Sequence, residues 1–534
     1  MVISVVSTND LHGKVRYLPT IAGYVGNLRA VRAAAGGGVV LVDSGDMFQG
    51  TLESNLNEGA IVVAAYNAMG YAAAAIGNHE FDFGPAGEAP VPKQPGDDPR
   101  GALKARAQQA EFPFLAANLL DSATGKRIDW PGVEASTLHE VAGVSVGIIG
   151  VTTFETPYTT MPANFAGLEV MPLAATITDE ARALRKRGAQ VVVAIVHGGA
   201  QCDDFEDPGD LSSCELDDEL FRVVGALPRG LVDVVTGGHT HQGVAHAFNG
   251  VAVLESYCCG RAFGRVDLTF DRKAGKVVDA RIHPPQEVCP GGKLIDECAP
   301  GEYEGQPVQP DQRVAGLMGE ALARAEAARD VPLGVTLTSP ITRARGDESA
   351  LGNLFADLML AARPSADIAL NNSGSMRTNW PKGPLTYGTL YESMPFDNRF
   401  ATVRMRGRDL EKLMARNLRR SGGMFLIGGM RLRARCQGSQ LEVEMLRNDG
   451  TPVADDEEIA LLTSDYLASG GDGAIGSLNL PQGAIEMHSG PAIRDAVADV
   501  LRARGGNIDG SDPAIYDRKN PRFVYPGSRP VTCP

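Results

Sequence analysis

Ala72-Ala73-Ala74-Ala75-Ile76-Gly77-Asn78-His79-Glu80-Phe81-Asp82 opens as an apolar run and closes on an amide, an imidazole and two carboxylates. A buried strand that delivers polar side chains at its carboxyl end has this form. The pattern recurs through the first half of the chain. Apolar runs ending at Val6, Val42, Val196 and Val235 lead directly to Asn9-Asp10-Leu11-His12, Gly45-Asp46, His197-Gly198-Gly199 and Gly238-His239-Thr240-His241, and further runs end at Ala116 and Val151. Longer segments that read as helices separate them, which is the alternation of an α/β fold with strands buried on both faces. In such sheets ligands bind beyond the carboxyl ends of the strands, so loops far apart in sequence converge on one site.

The converging residues are carboxylates, imidazoles and one amide, the donor set of a two-metal hydrolytic centre. Asp10 and His12 are two apart at a strand end and share one face, as do His239 and His241. Asp46, between Gly45 and Gly50, is the candidate bridging ligand, Asn78 offers a neutral oxygen and His197 another imidazole. Any one Asp-x-His or His-x-His arises often by chance. Five of the nine histidines fall in these motifs, however, all at the same kind of position. His139, His246, His283 and His488 lie outside the pattern and read as surface or packing residues, while Asp43 reads as support for the loop of Asp46. His79, next to Asn78, is placed to face the open side of the site and assist phosphoryl transfer, with Asp82 orienting its ring.

Composition bounds the alternatives. A chain of 534 residues with 43% hydrophobic and 22% charged residues is expected to fold as two domains rather than remain disordered. The net charge of -15 argues against a nucleic-acid polymer or an anionic membrane as partner, though metals and arginines reverse the potential locally. The longest apolar stretches, such as 144–151 and 191–196, are far short of the roughly 18 residues of a membrane span. The amino terminus enters a strand-like run at once, without the features of a signal peptide, so the chain is either cytoplasmic or shown after loss of a leader. Cys202 with Cys214 and Cys289 with Cys298 read as local disulfides; Cys258, Cys259, Cys436 and Cys533 are left open. With no Cys-x-x-Cys spacing, the cysteines favour an oxidising compartment, periplasmic or secreted.

Residues 284–310, rich in proline and glycine, read as a boundary, and the Ala-rich stretch 311–330 as a helical connector. The expected domains are therefore 1–310 and 331–534. The second has helices expected over 351–362, 407–420 and 491–504 and strands over 367–370, 400–405 and 459–463.

The metal pattern resembles the calcineurin-like metallophosphoesterases, and the second half is similar to 5′-nucleotidases and the related UDP-sugar hydrolases. The resemblance implies a four-layer α/β/β/α metallophosphoesterase domain joined by a helix to an α/β nucleotide-recognition domain. It implies that Asp10, His12, Asp46 and His241 hold one ion, that Asp46, Asn78, His197 and His239 hold the other, and that His79 with Asp82 forms the catalytic dyad. Asn372-Ser373-Gly374-Ser375-Met376-Arg377 looks like the family's Asn-Gly-Gly-Gly-x-Arg turn, with serines where side chains restrict the backbone. By the same likeness Arg377 and Arg345 contact phosphate, with Arg343 a weaker candidate, and Asn372 contacts the base or its loop. Phe396 and Tyr466 match the aromatics that stack a nucleobase, and Asp472 the residue that accepts from ribose hydroxyls.

The expected activity is release of phosphate from nucleoside 5′-monophosphates at two divalent ions, Zn, Mn, Co or Fe, with hydrolysis of nucleotide diphosphates or UDP-sugars a possible extension. Within enzymes, the alternatives are a 2′,3′-cyclic-nucleotide phosphodiesterase, a nucleotide pyrophosphatase, or a hydrolase of carrier-bound sulfur groups, which would not need the Phe396, Tyr466 and Asp472 clamp. Outside enzymes, they are a non-catalytic nucleotide-binding protein or an adhesion protein, Arg345-Gly346-Asp347 being an adhesion tripeptide. The expected assembly is a monomer or homodimer, with hinge motion about 311–330 bringing the substrate residues to the metals.

Overall fold

The computed structural model describes residues 1–87, 90–94 and 96–534. The chain divides into two compact units, Met1–Arg324 and Ala325–Pro534.

In the first unit, β1 (Val2–Thr8), β2 (Gly38–Asp43), β3 (Ala73–Ala75), β4 (Phe114–Leu115) and β5 (Val133–Glu134) run parallel in that order. A second sheet starts with β6 (Ser136–Val141), antiparallel to β7 (Val144–Thr152), and continues in parallel through β8 (Val191–His197) and β9 (Val234–Thr236). The hairpin of β10 (Gly243–Phe248) and β11 (Val251–Ser256) closes it. β12 (Ala262–Asp271) and β13 (Lys276–Glu287) return to the first sheet and extend it antiparallel beyond β1.

Ile3, Val5, Val40, Val42 and Ala73 from the first sheet share one core with Val146, Ile148, Val193, Ile195 and Leu254 from the second. The alternate residues face outward. Val6, Leu41, Ala74 and Phe114 are covered by α1 (Leu18–Ala34) and α2 (Ala60–Met69), and Ile149, Val151, Val192 and Val196 by α3 (Leu173–Lys186). The unit is thus α/β/β/α in four layers. Because both faces of the central strands are covered, these strands read as unbroken apolar runs.

One expectation about the boundary needs correction. Pro284 and Pro285 do not break the fold but sit inside β13, which is tolerated because β13 is an edge strand and need not donate along its free side. The helix α4 (Gln312–Arg329) forms where the connector is expected, and Val314, Met318 and Ala321 on one of its faces are buried in the core of the first unit.

Cys202–Cys214 and Cys289–Cys298 are disulfides, as expected, and Cys258–Cys259 and Cys436–Cys533 complete the set, leaving no free cysteine. The pair joining residues 97 apart was not deducible from spacing. Among the described residues no helix is long and apolar enough to cross a membrane.

Across β1, β12 and β13 the carboxylate of Asp267 collects Arg32 (2.8 Å), Nε and Nη2 of Arg265 (2.9 and 2.7 Å) and His283 (3.0 Å). Burial disfavours its charge, but hydrogen bonds from His283, Arg265 and Ser4 outweigh that and hold the carboxyl below the usual range. A depressed pKa contributes stability that is complete above the unfolded-state value, near 4, and is lost as pH falls below it. Asp267→Asn is therefore expected to destabilise the first unit by about 2–3 kcal/mol at pH 7 and by progressively less below about pH 4. Denaturant midpoints at pH 7 and pH 3.5 check this.

In the second unit β14 (Ile368–Asn372), β15 (Arg399–Arg406), β16 (Phe425–Gly428), β17 (Glu458–Ser464) and β18 (Ile485–Ala492) form a sheet in the order β16-β14-β17-β15-β18. Its helices α5 (Ala350–Ala362), α6 (Gly407–Arg419) and α7 (Ile493–Arg504) fall where the sequence places them. Ser349 caps α5 by accepting from the Gly352 N–H, and Leu354, Phe355, Ala369, Leu462 and Val497 share one core.

Candidate active site

The polar motifs stand at the carboxyl ends of β1, β2, β3, β8 and β9, and the structure brings their side chains together. Asp10, His12 and His241 place one ligand atom each within 4.8 Å of one another, and so do Asp46, His197 and His239. Asp46 Oδ2 lies 3.3 Å from His197 Nε2 and 4.0 Å from both His12 Nε2 and His79 Nε2. It stands between the two groups, where a bridging ligand belongs.

The arrangement of lone pairs tests whether cations fit. His12 Nδ1 faces the Gln49 carbonyl and His197 Nδ1 the Ser44 carbonyl, each at 2.8 Å. A carbonyl only accepts, so Nδ1 carries the proton and Nε2 is left for the pocket. His12 Nε2 then faces His241 Nε2 at 3.0 Å, and His197 Nε2 faces Asn78 Oδ1 at 3.0 Å. Asn78 Nδ2 donates to the Thr159 carbonyl, which turns Oδ1 inward, 3.0 Å from His239 Nδ1 as well. Nitrogen and oxygen atoms gathered this way need positive charge among them, supplied by protons on the rings or by cations in their place. The donors present therefore fit divalent ions.

Charge and strain say the same. Burial works against ionised Asp46, yet His197, His79 and His12 hold its carboxyl well below the usual range. Burial likewise opposes the charge of His197, but Asp46, Asp10 and Glu80 push its pKa up to about 10. To become a ligand His197 must give up that proton, since metal binding requires the neutral ring. Asp10, His12, Asp46, His239 and His241 all have positive φ, between 48° and 77°, and are five of the twelve non-glycine residues that do so among the described residues. Each costs on the order of 1–3 kcal/mol, and strain of that kind collects at functional sites. Gly77 is required for a different reason: a Cβ there would lie 2.2 Å from Asp46 Oδ1.

His79 Nδ1 lies 2.6 Å from Asp82 Oδ2, and the His79 N–H donates to Asp46 Oδ1 at 2.8 Å. The ring is thus held with Nε2 toward the pocket. Asp43 takes the supporting role read from the sequence, accepting from the Gly45 N–H, Thr8 and Tyr66; burial raises it to about 7.

Several supports were not legible. Glu80, which had no assigned role, accepts from the N–H groups of Asp46, Met47 and Gly77, locking two motifs together. Glu255, fully buried at the end of β11, accepts from the Ala200 N–H (2.9 Å) and Thr240 Oγ1 (2.6 Å) and so joins the loops after β8 and β9. An acid inside the run Val251-Ala252-Val253-Leu254-Glu255 was the available signal. Asn9 donates to Asp10 Oδ2 and to the Tyr257 carbonyl.

In the second unit Tyr466 Oη donates to Asp472 Oδ1 (2.8 Å) and Asn372 Nδ2 to Asp472 Oδ2 (3.0 Å). Burial raises the pKa of Asp472, against these bonds and the charges of Arg345 and Arg420. Tyr466, Asp472, Asn372 and Arg345 therefore form one cluster. Arg377 is set by its N–H on the Ser393 carbonyl, Phe396 by its carbonyl on Arg494, and Arg343 by its N–H on Asn379. The serines of the turn are accommodated: neither has positive φ, Ser373 Oγ donates to the Arg345 carbonyl and Ser375 Oγ to the Asn372 carbonyl.

Residues 3–243 match the calcineurin-like phosphoesterase family and residues 328–477 the 5′-nucleotidase C-terminal domain. The chain is a calcineurin-like phosphoesterase with a 5′-nucleotidase C-terminal domain. This family works with divalent metal ions, as the donor set requires. Protein UshA of Yersinia enterocolitica is 27% identical to this phosphoesterase over 511 residues, spanning 88% of the chain and 86% of its own. In fold it is similar to a 5′-nucleotidase precursor from Thermus thermophilus (TM-score 0.74, 22% identity, 98% and 99% of the two chains). It is also similar to the sulfate thiohydrolase SoxB from Thermus thermophilus (TM-score 0.71, 16% identity, 100% and 98%). A likeness spanning two chemistries leaves the substrate of the phosphoesterase to its own side chains.

Proposed function

We propose that the protein is a 5′-nucleotidase, releasing phosphate from nucleoside 5′-monophosphates with two divalent ions held by Asp10, His12, Asp46, Asn78, His197, His239 and His241. The observation that carries this reading is the pocket centred on Asp46, where imidazole nitrogens, carboxylate oxygens and the Asn78 amide oxygen converge. When bound, the ions supply Lewis acidity to phosphoryl oxygens and make water a stronger acid. Nitrogen and oxygen donors of this mixture accept Zn, Mn, Co or Fe.

The chain supplies the rest. His79, oriented by Asp82, directs Nε2 at the reacting phosphoryl group and protonates the leaving oxygen. Arg345 and Arg377 offer guanidinium forks to phosphate, and Phe396 and Tyr466 offer faces to the base. Asp472 keeps acceptor sites beyond those used by Tyr466 and Asn372, enough for ribose hydroxyls. Asn372 Oδ1 is buried and has no donor among the described residues. This cluster supports a nucleotide over a carrier-bound sulfur group. Four disulfides and the absence of free cysteine support a periplasmic or secreted setting.

The test is phosphate release from AMP, with UDP-glucose in parallel, by chelator-stripped protein re-supplied with Mn or Zn. Metal-restored turnover of AMP is expected, and the ratio of the two rates measures tolerance of a second phosphate. Binding of AMP without turnover in saturating metal would instead make it a nucleotide-binding protein. Tyr466→Ala is expected to raise KM for AMP about 10- to 100-fold, the size of one lost stacking face. The KM for p-nitrophenyl phosphate, which has no base, should stay unchanged; a parallel rise would remove Tyr466 from nucleoside recognition.

A further inference from the structure

The dyad is held by a segment that no motif marks. Residues 159–165 grip the turn 78–82 at four points: the Thr159 carbonyl accepts from Asn78 Nδ2 (3.1 Å), Thr160 Oγ1 donates to Asp82 Oδ1 (2.9 Å), Asn164 Nδ2 donates to the Phe81 carbonyl (2.9 Å), and the Phe165 ring meets Phe81 edge to face at 5.1 Å. Thr160 and Asn164 are 1% and 0% exposed. Thr160 differs from the others because its partner is the carboxylate that orients His79.

We propose that Thr160 is a positioning residue for the His79–Asp82 dyad, the third member of a chain in which Thr160 Oγ1–H donates to Asp82 Oδ1 and His79 Nδ1–H donates to Asp82 Oδ2. The terminal torsion of an aspartate is broad, so one hydrogen bond leaves the carboxylate free to swing. A second bond, on the other oxygen, from a buried hydroxyl, fixes the plane in which Oδ2 meets the imidazole. That plane sets the direction of His79 Nε2, which stands 4.0 Å from Asp46 Oδ2. In the step served, the bond from phosphorus to the leaving oxygen breaks, its electron pair stays on that oxygen, and the proton on Nε2 joins it. Water forms the new bond to phosphorus, and the proton it releases returns to the imidazole. Asp82 stays ionised throughout and serves by orientation, as the carboxylate of a catalytic triad does.

This inference rests on the hydrolytic reading above. The experiment compares metal-loaded wild type, Thr160→Val and Thr160→Ser with AMP, whose alkoxide leaving group needs a proton, and p-nitrophenyl phosphate, whose phenolate does not. Thr160→Val is expected to lower kcat for AMP about 10-fold, the order of one hydrogen bond to a charged group. KM and bound metal should be unchanged, and the loss with p-nitrophenyl phosphate below about 2-fold because no proton is needed there. Thr160→Ser should restore the rate, and in a His79→Gln background Thr160→Val should have no further effect. Equal losses with both substrates, an additive loss in the His79→Gln background, or wild-type rates from Thr160→Val would each overturn the proposal. Should the valine variant not fold, Thr160→Ala is judged by the same ratio of substrates. An inactive wild type defeats the hydrolytic reading; an active wild type beside an unaffected variant defeats only this one.

Discussion

Asp46→Asn is expected to cut phosphate release from AMP at least about 1000-fold and to strip bound metal while the fold survives. The size follows from charge, because metal ions contribute several kcal/mol to phosphoryl transfer and each 1.4 kcal/mol is tenfold in rate. Asp46 lies within 4.0 Å of His12, His79 and His197 alike, so its loss weakens both donor groups at once. The fold should tolerate the change. Asparagine has nearly the same shape, keeps an oxygen for the His79 N–H, and leaves Glu80 holding the turn through its three backbone donors. In the metal-free variant His197 is expected to be neutral rather than an uncompensated buried cation, since Asp46 leads the charges that hold its pKa up. Elemental analysis, circular dichroism and kcat on one preparation make the comparison. Full metal occupancy with kcat within tenfold of wild type would remove Asp46 from the centre of the site.

What the sequence revealed depended on whether burial leaves a mark on composition. β1, β8 and β9 are covered on both faces, so they appear as apolar runs, and the histidine and aspartate motifs stand out against them. Tyr466, Phe396 and Asp472 carry no such contrast. An aromatic beside a β-strand reads as core, and only the likeness to a family gave them roles. Glu80 and Asn9 sat in plain view within their motifs, but their work is done through backbone N–H groups and a neighbouring carboxylate, which sequence spacing does not encode. Thr160 left no signal at all, because a buried threonine after a one-turn helix is ordinary. Pro284 and Pro285 misled for a physical reason: proline excludes a residue from a central strand, not from the free edge of an outer one. The serines at 373 and 375 misled less, since the turn never enters the left-handed region that would have demanded glycine.

His79→Gln is expected to lower kcat for AMP by about 100- to 10,000-fold, the range of a lost general acid, and to leave bound metal and KM almost unchanged. That pattern is the opposite of the one for Asp46→Asn. His79 Nδ1 is committed to Asp82 at 2.6 Å, and Nε2 stands 4.0 Å from Asp46, oriented toward the pocket without being bonded to that carboxylate. Removing the ring therefore removes a proton donor and no member of the two donor groups. Glutamine retains a polar N–H but has no titrating nitrogen, so the variant separates hydrogen bonding from proton transfer. The loss should shrink with p-nitrophenyl phosphate, because a good leaving group departs as an anion without needing the proton. Asp82→Asn should show the same substrate dependence at smaller size, as expected of a residue acting through the imidazole. If His79→Gln retains near-wild-type kcat on AMP, or loses equally on both substrates, the leaving oxygen takes its proton from elsewhere and the dyad is a structural hinge of the turn 78–82.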